Sequence, residues 1–246
     1  MTLGSLPATL RDAVVNDEVF ELRPDYGALL FVAEGLRGGP TDVASDAALA
    51  AAEERAQTLL EERPLDEVPQ IIEWREAYRS FGVKPRQARS SVEALIRRAA
   101  QGLRRIDRLT DLYNAVSVER LLPIGGEDLA GYEGAPQLVR ATGAETFETV
   151  ASGEPTMETA GPGEVVWRDD RGITCRRWNW RQCVRTRLTV DTVDALFILD
   201  GLATTGRTGL LEAGGDLVAR LEDANPGVTI TSRLIAPPDP HTEETD

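Results

Sequence analysis

The sequence predicts an α+β protein in which helices dominate the first half of the chain and strands the second. Two patterns indicate this fold class. Between residues 46 and 121, apolar side chains recur at helical spacing between recognisable caps and stops. From residue 137 onward, short segments alternate apolar and polar side chains as half-buried strands do. With 246 residues, the chain is long enough to bury a sizeable core.

The N-terminal region, residues 1–68, is expected to contain two strands and a helix. The segments EVFELRP and ALLFVAEG, within residues 18–35, are β-type apolar runs separated by turn residues. A helix rich in alanine and glutamate follows over residues 46–63 and is stopped by Pro64. Because the link over residues 64–69 is too short for an independent tether, this region is predicted to pack on the main domain.

Two further helices have clear boundary signals. The first runs over residues 69–82, between a proline and a glycine. Its aromatic stripe consists of Trp74, Tyr78 and Phe81. Core packing is the default interpretation of this stripe, and stacking on nucleic-acid bases is the alternative. The second helix begins at the capping box SSVE, residues 90–93, and ends at Gly102.

A polar-lined helix is predicted over residues 107–121. Asp111, Asn114 and Ser117 recur at i, i+3 and i+6, so they share roughly one side of it. An asparagine inside a helix needs a hydrogen-bonding reason. Asn114 therefore either bonds to neighbouring backbone in the core or contacts a ligand.

The second half of the chain is predicted to be mainly a sheet. It is preceded by LLPIGGEDLAGY, a turn-rich loop with Glu127 and Asp128, whose carboxylates are either solvated or part of a site. QLVRATG, EVVWRD, ITCRRWNW and RTRLTV alternate like strands, and residues 169–172 are typical of a hairpin turn. The main domain is expected to span residues 69–235, followed by a disordered acidic tail over residues 236–246.

Basic residues are concentrated in two short segments of an acidic protein. The formal net charge is -14, and Lys84 is the only lysine among the 27 basic residues. Residues 74–108 contain ten basic residues and residues 168–187 contain seven, which together are 17 of the 27. If the two segments meet in space, they form a positive patch suited to phosphate backbones; otherwise each is a solvated face.

Histidine and cysteine usage excludes several mechanisms. The only histidine, His241, lies in the tail, so Ser-His-Asp or Cys-His catalysis and histidine-based metal sites are not expected. Cys175 and Cys183 are too few for a thiolate zinc site and are expected to be reduced. No cofactor, metal or membrane span is expected, and the N-terminus lacks a secretory signal, which predicts a cytoplasmic location. An enzyme of this composition would work with carboxylates, hydroxyls, amides and guanidiniums.

Several short motifs lie between Trp74 and Asp200. They are Phe81-Gly82, the helix SSVEALIRR, Asp111-Leu112-Tyr113-Asn114, Pro123 with Asp128-Leu129, and Glu164-Val165-Val166 before Cys175 to Gln182. In combination they resemble the central editing domain, B-three/B-four, of the bacterial phenylalanyl-tRNA synthetase beta subunit. This resemblance implies an α+β fold with a β-sandwich of unusual topology flanked by helices. In the synthetase, this domain hydrolyses wrongly charged tyrosyl-tRNA.

The family's residues carry over only in part. The asparagine of its Asp-x-x-Asn helix falls on Asn114, and the proline and aspartate of the following loop fall on Pro123 and Asp128. Its editing threonine falls on Tyr113 and its loop histidine falls near Gly125. The chain therefore lacks both of those functional side chains.

The resemblance implies a trans-acting aminoacyl-tRNA hydrolase that positions water without histidine or metal. Asn114, Ser117, Glu127 and Asp128 would orient the amino acid and the water. Seven residues are assigned to substrate or RNA binding: Arg97, Arg98, Arg176, Arg177, Trp178, Asn179 and Arg181, with Trp180 as an alternative stacking partner. For residues 176–181 there is a competing interpretation, in which the tryptophans belong to the core and the arginines form an exposed face of a strand.

Two other functions stay open. The same pocket could bind tRNA or an amino-acid-like small molecule without catalysis, or the fold could serve as a protein-interaction subunit. The sequence does not determine the oligomeric state.

Overall fold

The computed structural model describes residues 6–84, 86–151 and 153–237, and its strands form two larger sheets and a hairpin. The first sheet has the order β1 (Val14–Val15), β4 (Gln137–Arg140), β7 (Val165–Arg168), β8 (Ile173–Arg176) and β9 (Arg181–Gln182). The second has the order β11 (Thr229–Ile235), β2 (Gly27–Glu34), β10 (Ala195–Gly201) and β3 (Ile124–Asp128). The hairpin is β5 (Thr146–Ala151) and β6 (Glu154–Thr159).

Helices flank these sheets. They are α1 (Ala8–Arg11), α2 (Asp17–Leu22), α3 (Val43–Glu62), α4 (Pro69–Ser80), α5 (Ser91–Ala99), α6 (Arg108–Arg120) and α7 (Gly206–Ala224). The α+β class predicted from the sequence is confirmed.

Strand β2 joins the two main hydrophobic cores because it is buried on both faces. Leu30 and Val32 face a core that also contains Trp167 of the first sheet. Leu29 and Phe31 face a second core beneath α6 and α7. Although β2 belongs to the first 68 residues, it pairs with β10 and β11 from the second half of the chain. The domain boundaries at residues 68 and 235 stay predictions.

The predicted helices over residues 46–63, 69–82, 90–102 and 107–121 are confirmed, and most begin at a side-chain cap. Asp42 and Ser45 form a capping box at α3. Asp107 Oδ1 accepts a hydrogen bond from Thr110 N at 2.8 Å at the start of α6. Ser90 caps α5, but Glu93, instead of returning to the cap, binds Arg75 at 2.8 Å.

The segment EVFELRP is a helix, which makes the predicted strand wrong. Residues 17–22 form α2, with Asp17 and Glu18 in its first turn and Val19 buried. Acidic side chains in the first turn interact favourably with the positive end of the helix dipole. Pro24 then prevents the helix from continuing. The second predicted strand in this region, ALLFVAEG, is confirmed as β2.

The segment LLPIGGEDLAGY contains strand β3, so the prediction of a loop is wrong there. Its glycines permit close packing: a Cβ on Gly126 would lie 2.6 Å from Leu188 Cδ1 and 3.1 Å from Phe197 Cε1. A glycine at such a close approach marks a strand in contact rather than a turn.

Two of the four strands predicted after residue 137 end early or do not form. QLVRATG and EVVWRD contain β4 and β7, and the turn over residues 169–172 does connect β7 to β8. Within ITCRRWNW, the strand stops at Arg176 because Arg177 and Trp178 have left-handed φ angles of 47° and 67°. RTRLTV contributes only an isolated bridge from Arg187 to Glu127.

Helix α7 is a long helix within the part of the chain predicted to be mainly sheet. Four glycines, at positions 206, 209, 214 and 215, obscure its helical pattern. Gly214 faces β2, and a Cβ there would lie 2.6 Å from Leu29 Cδ2. Close packing of the helix on the sheet therefore requires the glycine.

The predicted acidic tail over residues 236–246, with His241, lies mostly outside the described residues, which end at residue 237. Among the helices that the structure describes, none is long and apolar enough to cross a membrane.

Candidate functional site

A pocket of about 310 Å³ lies between α5, α6, β3, β9, β10 and the turn that connects β8 to β9. Trp167 of β7 and Cys175 of β8 complete its inner wall. Small-molecule sites usually have volumes of about 300–1,000 Å³, so this pocket suits a ligand the size of one amino acid.

Strand alternation decides which side chains of β3 and β10 enter the pocket. Gly125 pairs with Ile198 and Glu127 pairs with Leu196, so these residues share one face of the sheet. Asp200 lies two residues beyond Ile198 and is on the same face. Glu127 and Asp200 therefore lie toward opposite ends of the pocket floor, with Gly125 between them.

Glu127 is almost fully buried at one end of the floor. Thr186 Oγ1 donates a hydrogen bond to its Oε2. Burial raises the pKa of Glu127 to about 7, although hydrogen bonds from Thr186 and Gln182 favour the charged form. Near neutral pH this carboxylate can therefore both accept and return a proton.

Asp200, at the other end of the floor, belongs to a buried hydrogen-bond network. Tyr26 Oη donates to Asp200 Oδ1 at 2.6 Å, and Asn179 Nδ2 donates to Oδ2 at 3.1 Å. Tyr78 Oη in turn donates to Asn179 Oδ1 at 3.0 Å. Burial raises the pKa of Asp200 to about 6. The carboxylate is thus largely ionised at neutral pH while its hydrogen-bond donors are neutral.

Trp178 forms part of the inner wall. It is completely buried and contacts the rings of Tyr26 and Trp74 edge-on, with centroid distances of 5.0 and 5.6 Å. Its backbone N donates to Val165 O at 2.7 Å, which fixes the turn between β8 and β9. A buried ring in this position packs as core and contributes only its pocket-facing surface.

Trp180 lies at the pocket rim next to two guanidinium groups. The Arg177 Cζ lies 4.3 Å from its ring centroid and the Arg181 Cζ lies 5.1 Å away. The ring is only partly buried, so it is the accessible aromatic surface of the rim. Asn114, from α6, also lines the pocket and is partly exposed.

A second cavity, of about 440 Å³, adjoins the pocket and shares Arg98 and Trp180 with it. Arg89 and Arg97 of the first arginine-rich segment line this groove together with Trp180 of the second. The two segments therefore meet in space. Arg97 Nε also contacts Glu93 Oε1 at 3.0 Å, while the Arg98 side chain is exposed.

The arginines of β8 and β9 are largely engaged by carboxylates. Arg176 is buried and binds Glu164 at 2.8 Å and Glu158 at 2.7 Å. Arg181 binds Glu158 at 2.9 Å with its side chain 37% exposed. The Arg176 side chain is thus buried in ion pairs and not available to a ligand, whereas part of the Arg181 side chain is exposed at the rim.

Residues 73–209 match the family model for the B3/4 domain. This match covers more than half of the chain. The chain belongs to the B3/4 domain family. All of the strands and helices that line the pocket lie within the matched residues, and the resemblance identified from the sequence is confirmed.

The chain is also similar to a solved N-terminal fragment of the phenylalanyl-tRNA synthetase beta subunit from Pyrococcus horikoshii. The two share 16% sequence identity with a TM-score of 0.47, over 92% of this chain and 54% of the fragment. The chain thus spans about half the length of that fragment. A search of curated proteins finds no match.

Within the B3/4 domain, Tyr113 and Gly125 occupy positions in the pocket wall. Tyr113 is buried, and its ring lies 6.2 Å from that of Phe197. Gly125 leaves open space, since no atom lies within 4 Å of a Cβ built there. The two positions that the resemblance assigns to the family's threonine and histidine thus supply an apolar wall and open space within the pocket.

Ser117 and Asp128 lie outside the pocket lining of the B3/4 domain. Ser117 is buried, and its hydroxyl donates to Leu122 O at 2.6 Å. Asp128 accepts from Ala130 N at 2.8 Å and from Thr192 Oγ1 at 2.6 Å. Asp111, on the same side of α6, accepts from Thr41 and Ile106 N. Of the three polar residues spaced along α6, the pocket therefore receives only Asn114.

Asp200 and Gln182 are pocket residues that the sequence did not identify as candidates. Asp200 directly follows the apolar run ALFIL, where a carboxylate at the end of a buried strand was a usable signal. Gln182 Nε2 donates to Gly126 O at 2.5 Å and so connects β9 to β3. No sequence pattern indicates that contact, because it depends on how the two sheets meet.

Proposed function

We propose that this protein hydrolyses the ester bond between an amino acid and the 3′ end of a tRNA. The proposal rests on the position of Glu127, a buried carboxylate that lines a pocket the size of one amino acid and has a pKa of about 7. A general base works best when its pKa lies near the operating pH. Histidine and metal are not needed for this role.

The reaction would proceed by direct attack of water. Ionised Glu127 takes a proton from water as the water oxygen bonds to the ester carbonyl carbon. The bond between that carbon and the ribose oxygen then breaks, and the leaving oxygen receives the proton back from Glu127. Asn114 lies in the same pocket, where its amide can donate a hydrogen bond to the carbonyl oxygen.

The rim supports an RNA ligand rather than a free ester. Arg98 and Trp180 belong both to the pocket and to the adjoining arginine-lined groove. A terminal base could stack on Trp180 while the groove binds phosphate oxygens. The chain belongs to the B3/4 domain family, and the sequence resemblance is to the editing domain of a tRNA synthetase, so tRNA is the RNA class to test first.

The test is a deacylation assay with a panel of mischarged tRNAs, each offered to the full chain at neutral pH. At least one tRNA should lose its amino acid faster than in buffer. Glu127→Gln should slow that reaction by at least about 100-fold, because the amide cannot accept the proton. Glu54→Gln, an exposed substitution on α3, is the matched control and should retain full activity.

A panel with no accelerated deacylation, measured with protein shown to be folded, would contradict the catalytic proposal. The second candidate is then a non-catalytic protein that binds tRNA or an amino-acid-like small molecule in the same pocket. Tyr113 and Gly125 favour it, since they replace the two family side chains with groups that offer no base. Binding of uncharged and charged tRNA without turnover would support this candidate.

A further inference from the structure

Most buried carboxylates in the part of the chain that the structure describes bind an arginine or accept hydrogen bonds at a helix N-terminus, but the two that line the pocket do neither. Three of them are paired with arginine: Glu93, Glu164 and Asp169. Two others, Asp107 and Asp111, lie at the N-terminus of α6 and accept hydrogen bonds from the backbone N of Thr110 and Ile106. Glu127 and Asp200 are the remaining buried carboxylates among the described residues, and both line the pocket.

The negative charge of Asp200 is balanced less well by neighbouring groups than that of Glu127. Arg185 lies near enough to Glu127 to favour its charged form. Asp200 makes no salt bridge within the described ranges, and the groups that favour its charge, Tyr26, Asn179 and Trp167, are neutral. A buried anion without a cation is costly in a folded protein, so such a site commonly serves a ligand.

The surroundings of Asp200 suit a positively charged group. The neutral rings of Trp167 and Trp178 line the same pocket, so they bring no positive charge that would compete with a cationic ligand. Arg98 and Arg181 lie at the rim, where they favour anions. The pocket is therefore negative at its floor and positive at its mouth. A ligand that complements these charges has a cationic group at the end that lies on the floor and a phosphate group at the end that lies at the mouth.

Distance along the sheet indicates which cation this is. Asp200 lies two residues, or about 7 Å, from Ile198, the residue opposite Gly125 in the middle of the floor. Under the proposed function the ester lies beside Glu127 at the other end of the floor, so an α-ammonium group next to it would stay on the Glu127 side of Gly125. Lysine has a flexible four-carbon stem between Cα and its ammonium group, which can reach farther along the floor.

We infer that Asp200 selects an aminoacyl group with a basic, lysine-like side chain, whose cationic end it binds on the pocket floor. This inference rests on the proposed function for the identity of the ligand as an amino acid. It concerns recognition and requires no catalytic step.

The test compares lysinamide with norleucinamide by isothermal titration calorimetry on the full chain. Both amides carry the α-ammonium group and neither is an ester, so only the charged end of the side chain differs. Wild-type protein should bind lysinamide at least about tenfold more tightly, as expected for a charge-assisted hydrogen bond. Argininamide shows whether a guanidinium group is accepted as well.

Asp200→Asn should remove the preference for lysinamide and bring the two affinities to within about twofold. Asp223→Asn, on the exposed face of α7, is the matched control and should retain it. Equal binding of both amides to wild-type protein would overturn the inference, as would a preference that survives in folded Asp200→Asn protein.

A pH series on the wild-type protein gives a second measurement, which does not depend on the folding of a variant. The preference for lysinamide should fade as pH decreases through about 6, because Asp200 is then protonated. The neighbouring Tyr26, Tyr78 and Cys175 do not interfere, since burial raises the pKa of each above its usual value. Glu127 lines the same pocket and has a pKa of about 7, so the series is repeated on Glu127→Gln, in which the change near pH 6 should remain. A preference for lysinamide that is unchanged at pH values well below the pKa of Asp200 would contradict the inference.

Hydrolysis and the recognition role of Asp200 can each fail without the other. Deacylation of tRNA without a lysinamide preference would keep the proposed function and reject the role of Asp200. A lysinamide preference without deacylation would keep Asp200 as a recognition residue and reject hydrolysis.

Discussion

Opposing influences on the pKa of Glu127 decide what this residue can do. Burial favours the neutral acid, whereas the hydrogen bonds from Thr186 and Gln182 favour the carboxylate. The balance leaves the group close to half ionised at neutral pH. A fully hydrated glutamate would be a weaker base, and one paired with arginine would be weaker still.

At the residue scale we predict a pH dependence for deacylation. The rate above the uncatalysed background should rise with pH through about 7 and then level off, because the base must be deprotonated to act. Glu127→Gln should lose this inflection. The measurement is the deacylation rate at a series of pH values, with uncatalysed ester hydrolysis subtracted at each. An inflection that survives in Glu127→Gln would assign the titration to another group.

Sequence alone does not distinguish Glu127 from Asp128, because both are carboxylates in one turn-like segment. The distinction needs the pairing of β3 with β10, which places adjacent side chains on opposite faces. Asn114 could be selected from its helical spacing, and the structure does bring it to the pocket. Its neighbour at the same spacing, Ser117, needs the position of Leu122 O before its role is evident.

At the element scale, helices with local end signals could be predicted and elements defined by long-range contacts could not. The caps of α3, α5 and α6 lie within a few residues of each helix start. Strand β3 and helix α7 depend on glycines that permit contact with distant residues, such as Gly126 with Leu188. In a sequence, the same glycines indicate turns.

Helix α5 connects the fold to the proposed RNA surface. Glu93, buried on its inner side, binds Arg75 at 2.8 Å and Arg97 at 3.0 Å. Arg98, one position further along, is free of that cluster and reaches both cavities. The helix therefore uses one arginine for anchoring and offers the next to a ligand.

We predict that Arg98→Glu weakens tRNA binding and lowers the slope of log affinity against log salt by about one unit. The reason is the loss of one phosphate contact in the groove. Arg55→Glu, on the exposed surface of α3, changes the net charge equally and is the matched control. Affinity should be measured by filter binding over a salt series. Equal weakening by both variants would show that global charge, not the groove, governs binding.

At the scale of the whole molecule, a net negative charge is combined with an arginine-lined groove at the mouth of the pocket. The net charge of -14 repels RNA at long range, so association depends on the groove where the two arginine-rich segments meet. The site itself combines residues from α5 to β10, more than 100 positions apart. No local pattern could predict that assembly, although Asn114, one of the residues that carry the family resemblance, does line the pocket.

The same arrangement has a measurable effect on stability. The pKa values of Glu127 and Asp200 are raised on folding, from 4.5 to about 7 and from 3.8 to about 6. The folded state therefore holds more protons than the unfolded state between those values, and stability must fall as pH rises. Carboxylates with lowered pKa values, such as Glu93 and Asp169, titrate below this window and do not alter the slope. Burial also raises the pKa of Asp111, which adds to the decrease and remains in a variant that changes only the two pocket carboxylates.

We predict that the free energy of unfolding decreases by roughly 3 to 4 kcal/mol between about pH 5 and pH 7.5. Urea denaturation at each pH measures it. The double variant Glu127→Gln/Asp200→Asn should lose most of this decrease, since neither amide titrates, whereas Glu54→Gln should show the wild-type slope. Stability that rises across this window, or a slope that persists in the double variant, would mean that the two pocket carboxylates do not retain their protons on folding.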